Sequence, residues 1–308
     1  MFFSVIIPLY NKADVISRTL ESVGQQTFRD FELIVIDDGS TDSGGDVVDS
    51  FSKNASFPIT LIRQENCGVS AARNRGANES HGRYLAMLDG DDVWLPFHLA
   101  DLYEVYRQYP SAKVISTAFA SSVGYRINEQ RVHRYNIFDY PDGGYPICSD
   151  TLAVDREYFL SIGGYDVRYR NFEDRELYYR MAEDIGDFYA NMRISALYLH
   201  DAREGAHVIV SQGFSKCAYM AFAAERIKEG KASEKMRRCV ALSAFNYVRG
   251  DIVRGNWVSI EELAVLYPEI IESLPWISII DWNKHRFLTR ALCIISWSWI
   301  NIFRRIKK

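Results

Sequence analysis

Two short acidic segments follow apolar runs of strand length and could carry chemistry. The first, residues 37–42, reads DDGSTD, and the second, residues 89–92, reads DGDD. Three carboxylates within four residues repel one another at a strand end unless a cation neutralises them. Carboxylate oxygens select hard ions such as Mg²⁺ or Mn²⁺, which commonly bridge to phosphates. The second segment therefore predicts a divalent-cation site.

Plain structural alternatives exist for the neighbouring polar segments. Residues 37–42 consist of the residue types that form turns and cap helices. Residues 66–76 read as a loop that leads into a helix, where Arg73 and Arg75 fit either a nucleotide contact or a solvated helix face. The sequence contains neither a Walker A motif nor GxGxxG. We therefore expect a metal, rather than a glycine-rich loop, to hold any phosphate.

The elements that must position these residues alternate between strands and helices. Between two early apolar runs, Ile16, Leu20 and Val23 share one face of a helix. This alternation predicts an α/β fold with a mostly parallel sheet covered by helices, in which ligands bind beyond the carboxyl ends of the strands. The predicted strands are Ser4–Leu9, Phe31–Ile36, Ile59–Ile62, Tyr84–Leu88 and Val114–Ala120.

Several motifs together resemble the family 2 glycosyltransferases of the GT-A fold. In order they are SVIIPLYN at 4–11, DDGSTD at 37–42, GVSAARNRG at 68–76, DGDD at 89–92, GGYD at 163–166 and EDRELYYRM at 173–181. The resemblance implies a Rossmann-like, mostly parallel central sheet. It places a glycosyltransferase domain at 1–210, with nucleotide binding in 1–120 and acceptor binding in 121–210. The pattern of residues 211–308 predicts a helical C-terminal region.

The same resemblance implies a role for each nucleotide-site residue. Pro8 and Tyr10 would line the pocket with the base near the Tyr10 ring, Asp38 would accept a hydrogen bond from the base, and Arg73 would lie beside it. Asp89 would lie near the ribose. Binding of Mn²⁺ or Mg²⁺ would fall to one further carboxylate, that of Asp91.

Catalysis and acceptor contacts are expected from four other residues. Asp174 matches the catalytic base, and Glu173 beside it is expected to contact the acceptor or to hold the site together. His200 and Asp92 are candidates for acceptor or diphosphate contacts. Each has a plain alternative: a helix N-terminus for Glu173 and Asp174, a helix cap for Asp92 and an ordinary surface residue for His200.

These roles predict an inverting glycosyltransferase. It would move a sugar from a nucleoside diphosphate, UDP-hexose or UDP-HexNAc, to a hydroxyl of a glycan or lipid-linked oligosaccharide of surface-polysaccharide type. A metal-dependent nucleotidyltransferase is the enzymatic alternative, although a Gly-rich, Arg-containing loop would then be expected after the first strand. A catalytically silent glycan-binding or scaffolding protein is the other alternative, and loss of the acidic motifs would favour it.

The charge distribution points to an anionic surface as a partner. Residues 284–308 contain seven basic and no acidic side chains, which leaves 29 basic against 40 acidic side chains in 1–283. Apolar residues at helical spacing from Leu288 to Ile306 predict an amphipathic helix. Its uncharged stretch, Ala291–Phe303, is shorter than the ~20 residues that span a bilayer. We expect it either to lie on an anionic membrane or to pack in the domain or a homodimer. Nucleic acid is not expected as a partner.

The cysteines and the N-terminus indicate the compartment. Five cysteines without CxxC spacing predict neither a disulfide framework nor a zinc ribbon, and fit a reducing cytosol. The first residues lead directly into an apolar run without a basic segment, so a secretory signal is not expected. The sequence therefore predicts a cytoplasmic protein, peripheral on the inner face of the membrane if the tail binds lipid.

Overall fold

The computed structural model describes residues 1–121, 130–141, 147–199 and 217–272, together with Arg286, Thr289, Arg290 and Cys293. The described residues form two compact units. The first consists of those within 1–137 and 145–206, and the second of those within 138–144 and 207–308. Within these described residues, no helix is both long and apolar enough to cross a bilayer.

The first unit is built of alternating strands and helices over its first half. Its strands are β1 (Phe3–Leu9), β2 (Phe31–Asp38), β3 (Ile59–Gln64), β4 (Tyr84–Met87), β5 (Val93–Trp94), β6 (Val114–Ser121), β7 (Val132–Tyr135), β8 (Leu152–Asp155) and β9 (Phe188–Tyr198). Its helices are α1 (Ile16–Gly24), α2 (Gly44–Ser52), α3 (Val69–Glu79), α4 (His98–Gln108), α5 (Arg156–Ser161) and α6 (Glu173–Ile185).

All nine described strands belong to one mixed sheet, with the order β3-β2-β1-β4-β8-β6-β9-β5 and β7 paired to β9. The strands β3, β2, β1 and β4 run parallel, as the alternating pattern predicts. Antiparallel pairing begins where β8 lies between β4 and β6. The α/β class and its covering helices are therefore confirmed, and the parallel pairing is concentrated in the half of the sheet that carries the acidic motifs.

Helix packing explains why the early motifs keep a fixed position. The predicted face of α1 is fully buried, because Ile16, Leu20 and Val23 are each 0% exposed. On α3, a Cβ at Gly76 would lie 2.5 Å from Cγ2 of Ile6. Only glycine therefore lets α3 approach β1 this closely, and α3 carries Arg73.

The second unit is helical in its described part, as the sequence pattern predicts. Its helices are α7 (Ala218–Lys228), α8 (Glu234–Arg254), α9 (Val258–Leu266) and α10 (Pro268–Glu272). The longest, α8, begins with the Ser233 hydroxyl accepting a hydrogen bond from the Met236 amide at 3.1 Å. It ends at Gly255, which adopts the left-handed conformation (φ +80°) that favours glycine.

Candidate active site

A cavity of about 450 Å³ opens where the parallel strands β1 and β2 end. Tyr10 lies on it with 47% of its surface exposed, which leaves the ring free to pack against a planar ligand. All of the cavity belongs to the first unit. Its lining residues are Pro8, Leu9, Tyr10, Lys12, Asp38, Asn66, Gly68, Val69, Ala72, Arg73, Asp89 and Glu173.

Asp38 anchors the loop that leads into α3. Its Oδ1 accepts hydrogen bonds from the Gln64 side chain at 2.7 Å and the Cys67 amide at 2.9 Å, and its Oδ2 accepts one from the Gly68 amide at 2.8 Å. Gly68 has a positive φ of +91°, a conformation that glycine adopts without strain. A carboxylate offers about four acceptor positions, so Asp38 retains capacity for one further donor.

Arg73 is a buried cation that joins two predicted acidic residues. Its Nη2 donates to Oδ1 of Asp89 at 2.6 Å and its Nη1 to Oε1 of Glu173 at 3.2 Å. Its guanidinium carbon lies 5.1 Å from the centre of the Tyr165 ring. Burial lowers the pKa of Arg73, but the neighbouring Asp89 and Glu173 raise it well above its ordinary value. Arg73 therefore remains charged and fixes both carboxylates.

Asn74 joins two of the sequence motifs. Its Oδ1 accepts a hydrogen bond from the Tyr165 amide and its Nδ2 donates to the Tyr165 carbonyl, both at 2.8 Å. Gly164 has a positive φ of +66°, and a Cβ there would lie 2.4 Å from Oδ1 of Asn74. The asparagine after Arg73 and the glycine before Tyr165 therefore belong to one local structure.

Helix α1 holds the backbone of the DGDD turn. The Thr19 hydroxyl lies 3.1 Å from the carbonyl of Gly90 and 2.9 Å from that of Asp92, and donates its one proton to them. The Arg18 guanidinium donates to the Asp91 carbonyl at 2.9 Å. These contacts satisfy the carbonyls of three of the four residues of the turn and fix its backbone against α1.

Within this turn, Asp91 pairs with a lysine from the segment after β1. The Nζ of Lys12 lies 2.7 Å from Oδ1 of Asp91. Lys12 also faces Asp89: burial raises the pKa of Asp89, but Arg73 and Lys12 together lower it below its ordinary value. Asp89 therefore presents a negative charge to the cavity at neutral pH.

Asp89 also belongs to a cluster of three carboxylates with the buried residues Asp92 and Asp150. Oxygens of Asp89, Asp92 and Asp150 lie within 4.8 Å of one another. Oδ1 of Asp92 accepts from the Leu199 amide at 2.7 Å, and Oδ1 of Asp150 from the Asp89 amide at 2.7 Å. Burial raises the pKa of Asp92 to about 6, and burial with the charges of Asp89 and Asp92 raises that of Asp150 well above its ordinary range.

This donor set fits a hard divalent cation in its chemistry. All of its ligand atoms are carboxylate oxygens, the atoms that hard cations prefer, and the side chains of Asp92 and Asp150 also hydrogen-bond to each other. Asp89 is the member that also lines the cavity. Asp92 and Asp150 are 1% and 3% exposed, so a cation bound between them would have to be fully enclosed. A bound proton neutralises such buried carboxylates without that requirement.

Glu173 and Asp174 occupy the first turn of α6. Burial, followed by the Asp174 charge, raises the pKa of Glu173, and burial raises that of Asp174. Oδ1 of Asp174 accepts from the Arg175 amide at 2.7 Å, a contact that an acid at a helix N-terminus commonly makes. A carboxylate whose pKa is raised accepts a proton more readily near neutral pH.

The structure brings most of the predicted site residues to one place. The predicted residues that line the cavity are Pro8, Tyr10, Asp38, Arg73, Asp89 and Glu173. Asp174, Asp91 and Asp92 lie one, two and three residues along the chain from the nearest lining residue. His200, most of the basic tail and, apart from Cys293, the uncharged stretch 291–303 lie outside the described residues.

Two residues of this site were not singled out by sequence reasoning. Lys12 directly follows the PLYN segment, at the end of the first predicted strand. Because ligands bind beyond the ends of such strands, this position could have indicated that Lys12 belongs to the site. Asp150 gave none, because it lies in a segment without periodicity and reaches Asp89 across 61 residues of chain. With Lys12 included, the cavity is lined by an exposed aromatic ring, two cationic side chains and an acid with a raised pKa.

The chain is similar in sequence to known glycosyltransferases. An uncharacterised glycosyltransferase of Haemophilus influenzae is 32% identical over 192 residues, 59% of this chain. The chain spans 62% of the length of that relative, less than two thirds.

Solved structures share the fold. TarS residues 1–349 of S. aureus, in complex with UDP-GlcNAc, match with a TM-score of 0.71 at 18% identity, covering 93% of this chain and 85% of that one. A mannosyltransferase from Pyrobaculum calidifontis, in complex with GDP-Man and Mn²⁺, matches with a TM-score of 0.55 at 17% identity, covering 94% and 86%. The model of glycosyl transferase family 2 matches residues 4–163, more than half of the sequence, and the chain belongs to this family.

Proposed function

We propose that the protein transfers a sugar from a UDP-sugar to a hydroxyl of a glycan or lipid-linked oligosaccharide, with inversion at the sugar C1. One observation carries the proposal: a single cavity holds the exposed ring of Tyr10, the buried cation Arg73, the charged Asp89 and the first residue of the Glu173–Asp174 pair. A nucleotide, its diphosphate and an acceptor need these groups in that proximity.

The nucleotide is proposed to lie against Pro8 and Tyr10, with Asp38 reading a base N–H. The fourth acceptor position of Asp38 supports this role. UDP is preferred because the TarS structure, which shares this fold, was solved with UDP-GlcNAc. The mannosyltransferase of the same fold holds GDP-Man, so a guanosine donor belongs in the test.

A divalent cation, Mn²⁺ or Mg²⁺, is proposed at the cavity face of the DGDD turn. Asp91 would hold it, with Asp89 beside it, because Asp89 lines the cavity that a diphosphate must enter. When bound, such a cation supplies positive charge to the diphosphate leaving group. The buried side chains of Asp92 and Asp150 are proposed to support the turn.

Asp174 is proposed as the general base. The acceptor hydroxyl would give its proton to Asp174 while its oxygen forms the new bond at C1. The bond between C1 and the diphosphate breaks, and UDP leaves with the bonding electrons. Displacement from the face opposite the leaving group inverts C1. Glu173, held by Arg73, would orient the acceptor, and His200 remains a proposed acceptor or diphosphate contact.

The cellular setting is likewise a proposal. The basic tail favours a peripheral position on the inner face of a bacterial cytoplasmic membrane, with a homodimer contact as the competing use of its apolar face. Residues 121–210 are proposed to shape the acceptor pocket, beside a nucleotide-binding part in 1–120.

A donor panel tests the proposal. UDP-glucose, UDP-GlcNAc and GDP-mannose are each incubated with the protein, Mn²⁺ and a bacterial lipid-linked glycan extract, and the released nucleotide is identified by chromatography. We expect UDP from one of the UDP-sugars. Release of pyrophosphate from a nucleoside triphosphate and a sugar phosphate would instead indicate a nucleotidyltransferase. Tight glycan binding without turnover would indicate a silent binding protein.

A further inference from the structure

We propose that Lys12 is a built-in counter-ion that competes with the divalent cation for Asp91 and moves to the donor diphosphate, so that cation and diphosphate bind cooperatively. This inference rests on the proposed function and deepens it, because it assigns the coupling between the two ligands to one side chain.

In the ion pair of Lys12 and Asp91, the lysine ammonium occupies the carboxylate that would ligate the proposed cation. The Lys12 Nζ lies 2.7 Å from Asp91 Oδ1, and the two side chains are 24% and 37% exposed. The lysine stem packs on the turn itself, since a Cβ at Gly90 would lie 3.4 Å from Lys12 Cδ. An ammonium group and a divalent cation cannot contact the same oxygen without strong mutual repulsion.

The two carboxylates at the cavity face have different cationic neighbours. Oδ1 of Asp89 accepts from Arg73, which is 3% exposed and also held by Glu173, so this cation is fixed. Lys12 is attached by a flexible four-carbon stem and lines the cavity. Lys12 is therefore the cation that can leave its carboxylate when another anion enters.

A diphosphate in the cavity would provide that anion. Lys12 can then move from Asp91 to a phosphate oxygen within the same cavity, and Asp91 becomes free to ligate the metal. Before the donor binds, Lys12 neutralises Asp91 and weakens metal binding. Such coupling is reciprocal: whatever factor UDP contributes to Mn²⁺ affinity, Mn²⁺ contributes to UDP affinity.

Mn²⁺ binding measured by electron paramagnetic resonance tests this without any turnover. The full-length protein is titrated alone, with saturating UDP and with uridine, which lacks phosphates. Without nucleotide, we expect Lys12→Gln to bind Mn²⁺ about fivefold or more tightly than wild type, the lower end of common coupling factors. With UDP the two proteins should bind Mn²⁺ with similar affinity. Uridine should leave both titrations as they are without nucleotide.

Two further variants serve as controls. Lys12→Arg keeps the positive charge beside Asp91 and should retain the weak Mn²⁺ binding of wild type without nucleotide. Lys113→Gln removes a matched lysine, whose Nζ lies 3.2 Å from Oδ1 of Asp155, and should leave both titrations unchanged.

Two results would overturn the inference. One is an unchanged Mn²⁺ affinity of Lys12→Gln without nucleotide. The other is an equal gain with and without UDP, which would reflect only the loss of one positive charge. The donor panel judges the proposed function separately. If either of these results occurs but UDP release is metal-dependent, only the role of Lys12 is rejected and the proposed function stands. If no nucleotide is released, the proposed function itself is rejected.

Discussion

At the scale of single residues, the site is organised by charge that is buried and paired. Arg73 holds Asp89 and Glu173 from one buried position, and Lys12 holds Asp91. Asp174 has a raised pKa because it is buried among other acids. Acids of the same type therefore differ in pKa because their neighbours differ: the pKa of Asp89 is lowered and that of Asp174 is raised, which makes Asp174 the stronger base of the two.

Removal of the proposed base should slow the reaction and spare nucleotide binding. Asp174→Asn is expected to lower kcat by ~10²- to 10⁴-fold, the usual effect of losing a general base. The affinity for UDP should remain near that of wild type, because Asp174 is not among the residues that line the cavity. Steady-state kinetics and calorimetry measure the two quantities.

The matched control is Asp184→Asn, the same chemical change at an exposed position of α6, which should keep kcat. A normal kcat in Asp174→Asn would remove Asp174 from the mechanism. A product that retains the anomeric configuration would contradict single displacement altogether.

Variants of Asp150 test whether this residue supports the DGDD turn or ligates the metal. Burial and the charges of Asp89 and Asp92 raise the pKa of Asp150 well above its ordinary range, so a neutral Asn resembles its protonated form. Asp150→Asn should therefore retain the acceptor for the Asp89 amide and the Mn²⁺ affinity of wild type. Asp150→Ala should lower the free energy of unfolding in urea by ~1 to 3 kcal/mol, because that amide loses its acceptor.

Asp91→Asn supplies the contrast, since it should weaken Mn²⁺ binding without a comparable loss of stability. Loss of Mn²⁺ binding in Asp150→Asn, with Asp91→Asn unaffected, would place the cation on the inner carboxylates instead.

At the scale of elements, the early strands and helices were predictable because their apolar spacing is regular. Strands β1 to β3 begin within a residue of the predicted runs, and the buried face of α1 is the one that the spacing indicates. Strand β7 was not predicted, because VHRY is short and polar and owes its conformation to antiparallel pairing with β9. The contacts of Asp150 and Asn74 depend on which elements meet, which local pattern does not specify.

His98 is another residue whose environment the local pattern could not indicate. At the start of α4, its ring stacks on Trp94 at 4.1 Å and its Nδ1 lies 2.9 Å from the Ser195 hydroxyl. Burial lowers the pKa of His98 to about 3, so the ring is neutral at physiological pH. This histidine is a packed residue of the sheet and helix layer.

Helix α4 also carries a buried acid whose titration should appear in stability. Asp101 is 3% exposed, and burial raises its pKa to about 6 despite Arg193 at 3.5 Å. A raised folded-state pKa means that the folded protein binds more protons than the unfolded chain between about pH 4 and 6. This contribution to stability is therefore present at low pH and is lost as the pH rises through about 6.

Asp101→Asn removes that titration. Because wild type loses this contribution as the pH rises and the variant does not, the free energy of unfolding of Asp101→Asn in urea, relative to wild type, should increase as the pH is raised from 4.5 to 7.5. A difference from wild type that stays constant across this range would mean that Asp101 ionises normally in the folded protein.

At the scale of the whole molecule, the chain combines an α/β unit that contains the cavity with a helical unit. The family match at residues 4–163 covers most of the first unit and also includes residues 138–144 of the second. Residues 284–308 carry seven basic side chains. Membrane contact by this tail remains a prediction from the sequence. The acceptor that such a position would favour is one attached to a lipid.

Binding to liposomes tests the tail. The full chain should sediment with anionic liposomes and not with neutral ones, and salt should weaken the binding, because each basic residue contributes ~1 kcal/mol near an anionic surface. Truncation after Asp281 should abolish sedimentation and preserve turnover of a soluble acceptor analogue. A truncated protein that unfolds or changes oligomeric state, with a full chain that ignores liposomes, would assign the tail to packing.

The central claim is that the DGDD turn holds a cation against the diphosphate of a nucleotide sugar. The most direct measurement is UDP release from the donor identified in the panel, by wild type and Asp91→Ala, each with Mn²⁺ and with EDTA. Wild type should release UDP with Mn²⁺, and most of this release should be lost both in EDTA and in Asp91→Ala. Full release by wild type in metal-free buffer, or by Asp91→Ala with Mn²⁺, would contradict it.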